Sequence, residues 1–136
     1  MDIHELNRGV IEEFRANAGK VSGPFTGVPL LVLTTVGAKS GRARTNPLAY
    51  FPDKDGYLII ASYAGAPVNP PWFYNLIANP VADVEMGTGR FKARAEVLKE
   101  PDRTDVYQKV AAAAPVFAEY QSKTTRKIPV ILLRRL

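Results

Sequence analysis

Residues 30–51 read LLVLTTVGAKSGRARTNPLAYF, and this stretch decides the fold class. LLVLTTV (30–36) is a short, apolar, β-branched run, which predicts a buried strand. Gly37 and Gly41 punctuate a turn, where glycine permits positive φ and close approach of backbone N–H groups to a ligand. RTNPLAYF (44–51) predicts a second strand interrupted at Pro47, which cannot donate to a ladder and therefore implies an edge or a bulge. Two short strands joined by a turn open an antiparallel sheet.

Downstream, PDKDG (52–56) is a hairpin signal leading into a third strand, YLIIAS (57–62). VADVEMG and RFKARAEVL flank a Thr-Gly turn and form another hairpin. In its second arm Phe91, Ala93, Ala95 and Val97 face inward while Lys92, Arg94 and Glu96 face out. KIPVILL closes the chain as a last strand. A short helix is expected around 71–78, opened by Pro70 and Pro71 and ended at Asn79–Pro80. EPDRTDVYQKVAAAA predicts a further helix with a Pro/Asp start, and PVFAEYQSKTT a shorter helix or turn. GKVSGPFTGVP (19–29) is a loop by its composition.

The sum is an α+β fold: a mostly antiparallel split β-barrel of about six strands with flanking helices, as one domain over residues 1–136. The strand–helix alternation of a parallel sheet is missing.

At the N-terminus, Ile3, Leu6, Val10, Ile11 and Phe14 have helical spacing over 2–17. This helix is expected on the core, with weak peripheral membrane contact as the alternative. Asp2, Glu5, Glu12 and Glu13 oppose strong binding to anionic lipid. Neither a signal peptide nor a membrane-spanning run is seen, so the expected location is cytoplasmic, with membrane association as the variant reading.

The chain has no cysteine, which excludes thiolate metal sites and cysteine nucleophiles, and its only histidine is His4, expected at the surface. No metal site is expected. The net charge of +5 is unevenly spread, with +3 in residues 37–44 and +5 in residues 123–136. Concentration into two segments suggests one focused anion site if the fold joins them.

The basic turn is the strongest candidate for such a site. Lys39 offers a point charge, Arg42 and Arg44 offer planar donor forks suited to phosphate or carboxylate, and Ser40 adds a hydroxyl. A solvated hairpin tip is the competing reading. GAKSG is too short a frame for a phosphate-binding P-loop, and no dinucleotide fingerprint is present. Ser62 ends a strand at the barrel rim. Trp72, Phe73 and Tyr74 are consecutive on a short helix with Asn75 following, and Phe117 and Tyr120 lie one helical turn apart. Aromatic walls beside polar anchors suit a planar ring system, although each aromatic taken singly reads as core more readily than as site.

Three segments together, LLVLTTVGAKSGRARTNPL, ASYAGAPVNPPWFYNLIANP and AEYQSKTTRKIPVILL, resemble the deazaflavin-dependent nitroreductase family. Members are small split β-barrel oxidoreductases that use the reduced deazaflavin coenzyme F420. The resemblance runs from about Asn7 to Leu133 in one motif order. It implies that Lys39, Ser40 and Arg44 hold the cofactor's phosphodiester and acidic tail, with Arg42 auxiliary. It further implies that Thr45, Asn46, Pro47 and Leu48 follow the deazaflavin edge, that Ala61 and Ser62 sit by the reacting carbon, and that Trp72 and Asn75 line the same cleft. Ser62, Tyr63 and Tyr120 become candidate hydroxyl donors in catalysis, and Phe117 and Tyr120 candidate substrate contacts.

Two departures bear on substrate. Tyr63 stands where many members carry Lys, and Ala114 and Phe117 stand where nitroimidazole-reducing members carry tyrosines. These imply a more apolar acceptor pocket, suited to a quinone, an enone or a similar conjugated carbonyl. The resemblance thus implies F420H2-dependent hydride transfer to a small planar acceptor. A non-catalytic deazaflavin or lipid carrier and a flavin mononucleotide protein on the same barrel are the alternatives. Nucleic acid is not an expected partner, and the oligomeric state is left open.

Overall fold

Leu30, Leu31, Val32 and Leu33 are all buried, although alternate residues of a strand point to opposite faces. A continuous apolar run is what a strand covered on both faces requires, and the layers of the molecule explain it. The computed structural model describes residues 3–22 and 28–136, with side chains from Glu5 onward. The central part of the loop expected over 19–29, and the His4 side chain, lie outside the described residues.

In chain order the elements are α1 (Ile3–Ala16), β1 (Leu30–Val36), β2 (Ala43–Ala49), β3 (Phe51–Asp53), β4 (Gly56–Ile60), a 3₁₀ turn (Tyr63–Gly65) and α2 (Pro71–Ala78). They continue with β5 (Val81–Met86), β6 (Gly89–Val97), α3 (Asp102–Ala113), α4 (Val116–Ser122) and β7 (Val130–Arg135). All strands join one seven-stranded sheet in the order β2-β1-β5-β6-β7-β4-β3. Each neighbouring pair is antiparallel.

The two edge strands, β2 and β3, are consecutive in the chain with only Tyr50 between them. A sheet whose opposite edges are joined by one residue has to curl until those edges meet, and β2 accordingly approaches β4 across the opening. This is the half-barrel that the strand pattern predicts. The stretch 44–51, expected as one strand, divides at Tyr50 because the chain there leaves one edge and enters the other. Pro47 is tolerated because β2 pairs only with β1, where it lies opposite Val32.

Inside the curl, Leu31, Leu33, Ile59, Ala61, Trp72, Leu76, Ala82, Val84, Ala93, Ile131 and Leu133 form the inner core. Outside it, α1 covers Leu30 and Val32 with Ile11 and Phe14. On the other flank, Tyr107 and Val110 of α3 cover Leu58, Ile60, Val130 and Leu132. β1, β4 and β7 are therefore sandwiched and read as unbroken apolar runs. The outer face of β6 carries exposed Lys92, Arg94 and Glu96 and shows the clean alternation expected of it. Phe14 is only 1% exposed, so α1 is anchored on the barrel through an aromatic side chain whose truncation typically costs about 3–5 kcal/mol.

Candidate functional site

The turn between β1 and β2 is closed by its own backbone: Gly37 N–H donates to Arg42 O at 2.8 Å, and Gly41 N–H to Gly37 O at 2.9 Å. Gly41 has φ +69°, the left-handed region in which glycine is favoured. Gly37 is required for a different reason. Its φ is ordinary, but a Cβ there would lie 2.6 Å from Ser40 Oγ and 3.2 Å from Arg42 O. Ser40 Oγ in turn accepts from Arg42 N–H at 3.2 Å, so this hydroxyl also braces the turn.

Behind the turn stands Asn75 of α2, 7% exposed. Its Oδ1 accepts from Ala38 N–H at 2.9 Å, and its Nδ2 donates to Thr35 Oγ1 at 3.1 Å. One buried amide thus fixes the turn to the helix. Trp72, one turn earlier, is 5% exposed and belongs to the inner core. Asn75 and Trp72 support the turn from within the molecule.

On the solvent side Lys39, Arg42 and Arg44 are exposed, and none of them enters a salt bridge with any described residue. Arg44, Thr45 and Asn46 form one wall of a cleft of about 390 Å³, opposite Asn7, Arg8, Ile11, Glu12 and Arg15 of α1. Thr45 shares a hydroxyl contact with Thr34 across the ladder at 3.3 Å. Pro47 and Leu48 continue along β2, with Leu48 packed on the inner core. Cations with no ion-pair partner among the described residues, beside an open cleft, suit an anionic ligand.

A second group gathers at the C-terminal end of β4. Ala61 is fully buried, and Ser62 is half-buried at the rim. The next three residues all have positive φ: Tyr63 +48°, Ala64 +54° and Gly65 +81°. Two left-handed non-glycine residues in succession form a strained turn. α4 packs against this turn, and a Cβ on Gly65 would lie 2.9 Å from Tyr120 O. Ser62, Tyr63 and Tyr120 are therefore brought to one corner. Phe117 is wedged between Phe51, at 5.5 Å between ring centroids, and Tyr120, at 5.6 Å. Tyr107 of α3 steadies α4 by donating its hydroxyl to Phe117 O at 2.6 Å, and burial pushes that phenol above its ordinary range.

Four of the five cations of the basic C-terminal segment are engaged by other parts of the protein. Lys127 pairs with Glu100 at 3.2 Å, Arg134 with Glu96 at 2.8 Å, and Arg135 stacks 4.8 Å from the Phe91 ring centre. Arg126 holds the loop after β4, donating to the backbone oxygens of Ala61, Ser62 and Ala66 and to Asn69 Oδ1. Partners elsewhere in the chain absorb these four cations, which the charge count could not foresee, while Lys123 stays exposed. Arg126 is also the residue that sequence reasoning missed; its only signal was membership of that basic run.

A sequence profile of the F420H(2)-dependent quinone reductase family matches residues 6–135. An F420H(2)-dependent quinone reductase of Mycobacterium tuberculosis is 39% identical over 126 residues, which cover 90% of this chain and 85% of the relative. Among solved structures, an F420-H2 dependent reductase termed FDR-A has TM-score 0.70 at 36% identity, over 78% of this chain and 94% of that one. A structure described as a domain-swapped dimer has TM-score 0.72 at 33% identity, over 97% and 96% of the two chains. A haem storage protein of Vibrio cholerae, at 17% identity and TM-score 0.61 over 93% and 87%, shares the fold alone. Matched along nearly its whole length, the chain belongs to the F420H2-dependent quinone reductase family.

Proposed function

We propose that this protein is an F420H2-dependent reductase that transfers a hydride from the reduced deazaflavin to a quinone or a similar planar, apolar, conjugated acceptor. The observation that carries the reading is the trio Lys39, Arg42 and Arg44, exposed and without an ion-pair partner among the described residues, on the turn that Asn75 fixes from behind and the start of β2 that follows it. Lys39 and Arg44, with Arg42 in support, hold the anionic handle of the cofactor. Thr45, Asn46, Pro47 and Leu48 guide it along β2 towards Ala61 and Ser62.

When bound, the reduced deazaflavin supplies a hydride from carbon, which favours two-electron over radical chemistry. The acceptor gains negative charge as the hydride arrives, and this charge calls for a nearby donor and then a proton. Ser62, Tyr63 and Tyr120 bring hydroxyls to the corner where this is required, and solvent completes the proton supply. A quinone takes up two electrons and two protons in all and leaves as hydroquinone. Phe51, Phe117 and Tyr120 supply an aromatic wall for the acceptor. α1 commits Ile11 and Phe14 to the barrel, which supports a role as a wall of the cleft over one on a lipid surface. No described helix is long and apolar enough to cross a membrane.

The test titrates purified protein with F420 and with flavin mononucleotide in parallel, then adds menadione to the mixture containing reduced F420. Tight F420 binding with menadione-dependent reoxidation is the expected result. Binding without reoxidation would make the protein a carrier, and preference for the flavin would overturn the cofactor assignment.

A further inference from the structure

Arg126 enters from the segment between α4 and β7, yet all its guanidinium bonds go to a loop some sixty residues earlier. Nε donates to Ala66 O at 2.9 Å, Nη1 to Ala61 O at 3.1 Å and to Asn69 Oδ1 at 2.7 Å, and Nη2 to Ser62 O at 2.8 Å. The acceptors lie on both sides of the left-handed stretch Tyr63–Gly65 and span it like a clamp. A left-handed non-glycine residue is strained and persists only where its surroundings over-determine it. The clamp is the evident restraint. All four acceptors are neutral oxygens, with no carboxylate among them. Burial pushes the guanidinium below its ordinary value, while the Tyr74 and Tyr107 phenols oppose the shift.

The same residue is tied to the opposite wall. Its carbonyl accepts from Gln121 Nε2 at 2.7 Å, and Gln121 follows Tyr120 directly in α4. Gln121 Oε1 is held in turn by buried Arg103 Nη2 at 2.6 Å and by Ile128 N–H at 3.1 Å. Backbone and side chain of Arg126 thus connect the corner that carries Ser62 and Tyr63 with the helix that carries Tyr120.

We propose that Arg126 is a positioning residue for the reduction of the acceptor, holding Ser62, Tyr63 and Tyr120 in one fixed arrangement; this rests on the function proposed above. It makes no claim on the cofactor's anionic handle, so its loss separates turnover from cofactor binding. Misplacing reacting groups by about 1 Å can cost 10²-fold in rate, which sets the scale expected here.

The experiment compares wild type with Arg126→Ala, Arg126→Lys and Asn69→Ala by three readouts. These are amide hydrogen exchange over 62–69 without ligand, F420 affinity by fluorescence, and kcat and KM for menadione with F420H2. In Arg126→Ala, faster exchange over 62–69, F420 affinity within about threefold of wild type and a kcat about 10- to 100-fold lower are expected. Arg126→Lys should recover part of the kcat, since it restores a donor without the fork. Asn69→Ala, which removes one acceptor and leaves the arginine in place, should move exchange and kcat in the same direction by less; it decides the matter if Arg126→Ala does not fold. Wild-type kcat in a folded Arg126→Ala, or a kcat loss matched by an equal loss of F420 affinity, would overturn the positioning role. If wild type itself failed to oxidise F420H2, the proposed function would fall and the catalytic role with it. The exchange data would still decide whether Arg126 holds the loop.

Discussion

Gly65, at φ +81° with its α-carbon facing Tyr120 O, shows how one residue governs the acceptor corner. Gly65→Ala would add a Cβ 2.9 Å from that oxygen and strain the backbone as well. We expect a stability loss of about 1–3 kcal/mol by urea unfolding, together with a lower menadione kcat. Asn75 governs the other end. Replacing it with Leu removes both hydrogen bonds of its amide and leaves Ala38 N–H and Thr35 Oγ1 without that partner, at a cost of about 1–3 kcal/mol. F420 affinity should fall in parallel, and unchanged affinity would detach the turn's geometry from binding. Asn75 is expected from the sequence to line a cofactor cleft; its task of pinning a turn that precedes it by almost forty positions was not legible there. That task exists only because the curl of the sheet sets α2 beside the end of β1.

Among the elements, those defined by local pattern were the most readable. LLVLTTV became β1 with the expected bounds, and the proline-opened helix around 71–78 became α2. Period and turn chemistry alone determine such segments. The division of 44–51 into β2 and β3 was hidden, because edge closure at Tyr50 is a property of the rolled sheet and leaves no mark in the residues. α1 carries a further test. Arg15 grips Glu85 of β5 through two bonds, Nε to Oε1 at 3.0 Å and Nη2 to Oε2 at 2.8 Å. The Arg15 hydrogen bonds hold the Glu85 carboxyl below its ordinary 4.5. A carboxyl lowered in the folded state adds stability that is present above the unfolded value and is lost as pH falls through the folded one. Stability should therefore decline below about pH 4.5, with Glu85→Gln flattening that decline. The side chains are partly solvated, so the pair is worth on the order of 0.5 kcal/mol. Thermal unfolding across acidic pH measures it, and an identical slope in the variant would deny the pair this role.

At the scale of the whole molecule, the fold sorts eight cations of two basic segments into different tasks. Three on the β1–β2 turn and the start of β2 have no ion-pair partner among the described residues; near the C-terminus Arg126, Lys127, Arg134 and Arg135 are engaged by carboxylates, an aromatic ring or backbone oxygens, and Lys123 is exposed. The sequence displays both groups as equally basic, and only the contacts of each residue separate an anion site from structural bracing. The account therefore turns on the first group, and the salt dependence of F420 affinity in wild type and in the Lys39→Ala, Arg44→Ala double variant tests it most directly. Wild-type affinity should weaken as ionic strength rises. The double variant should bind about tenfold or more weakly at low salt, with the gap closing as screening shortens the reach of the charges. Equal affinity of the two proteins at low salt would contradict the claim that these cations hold the cofactor.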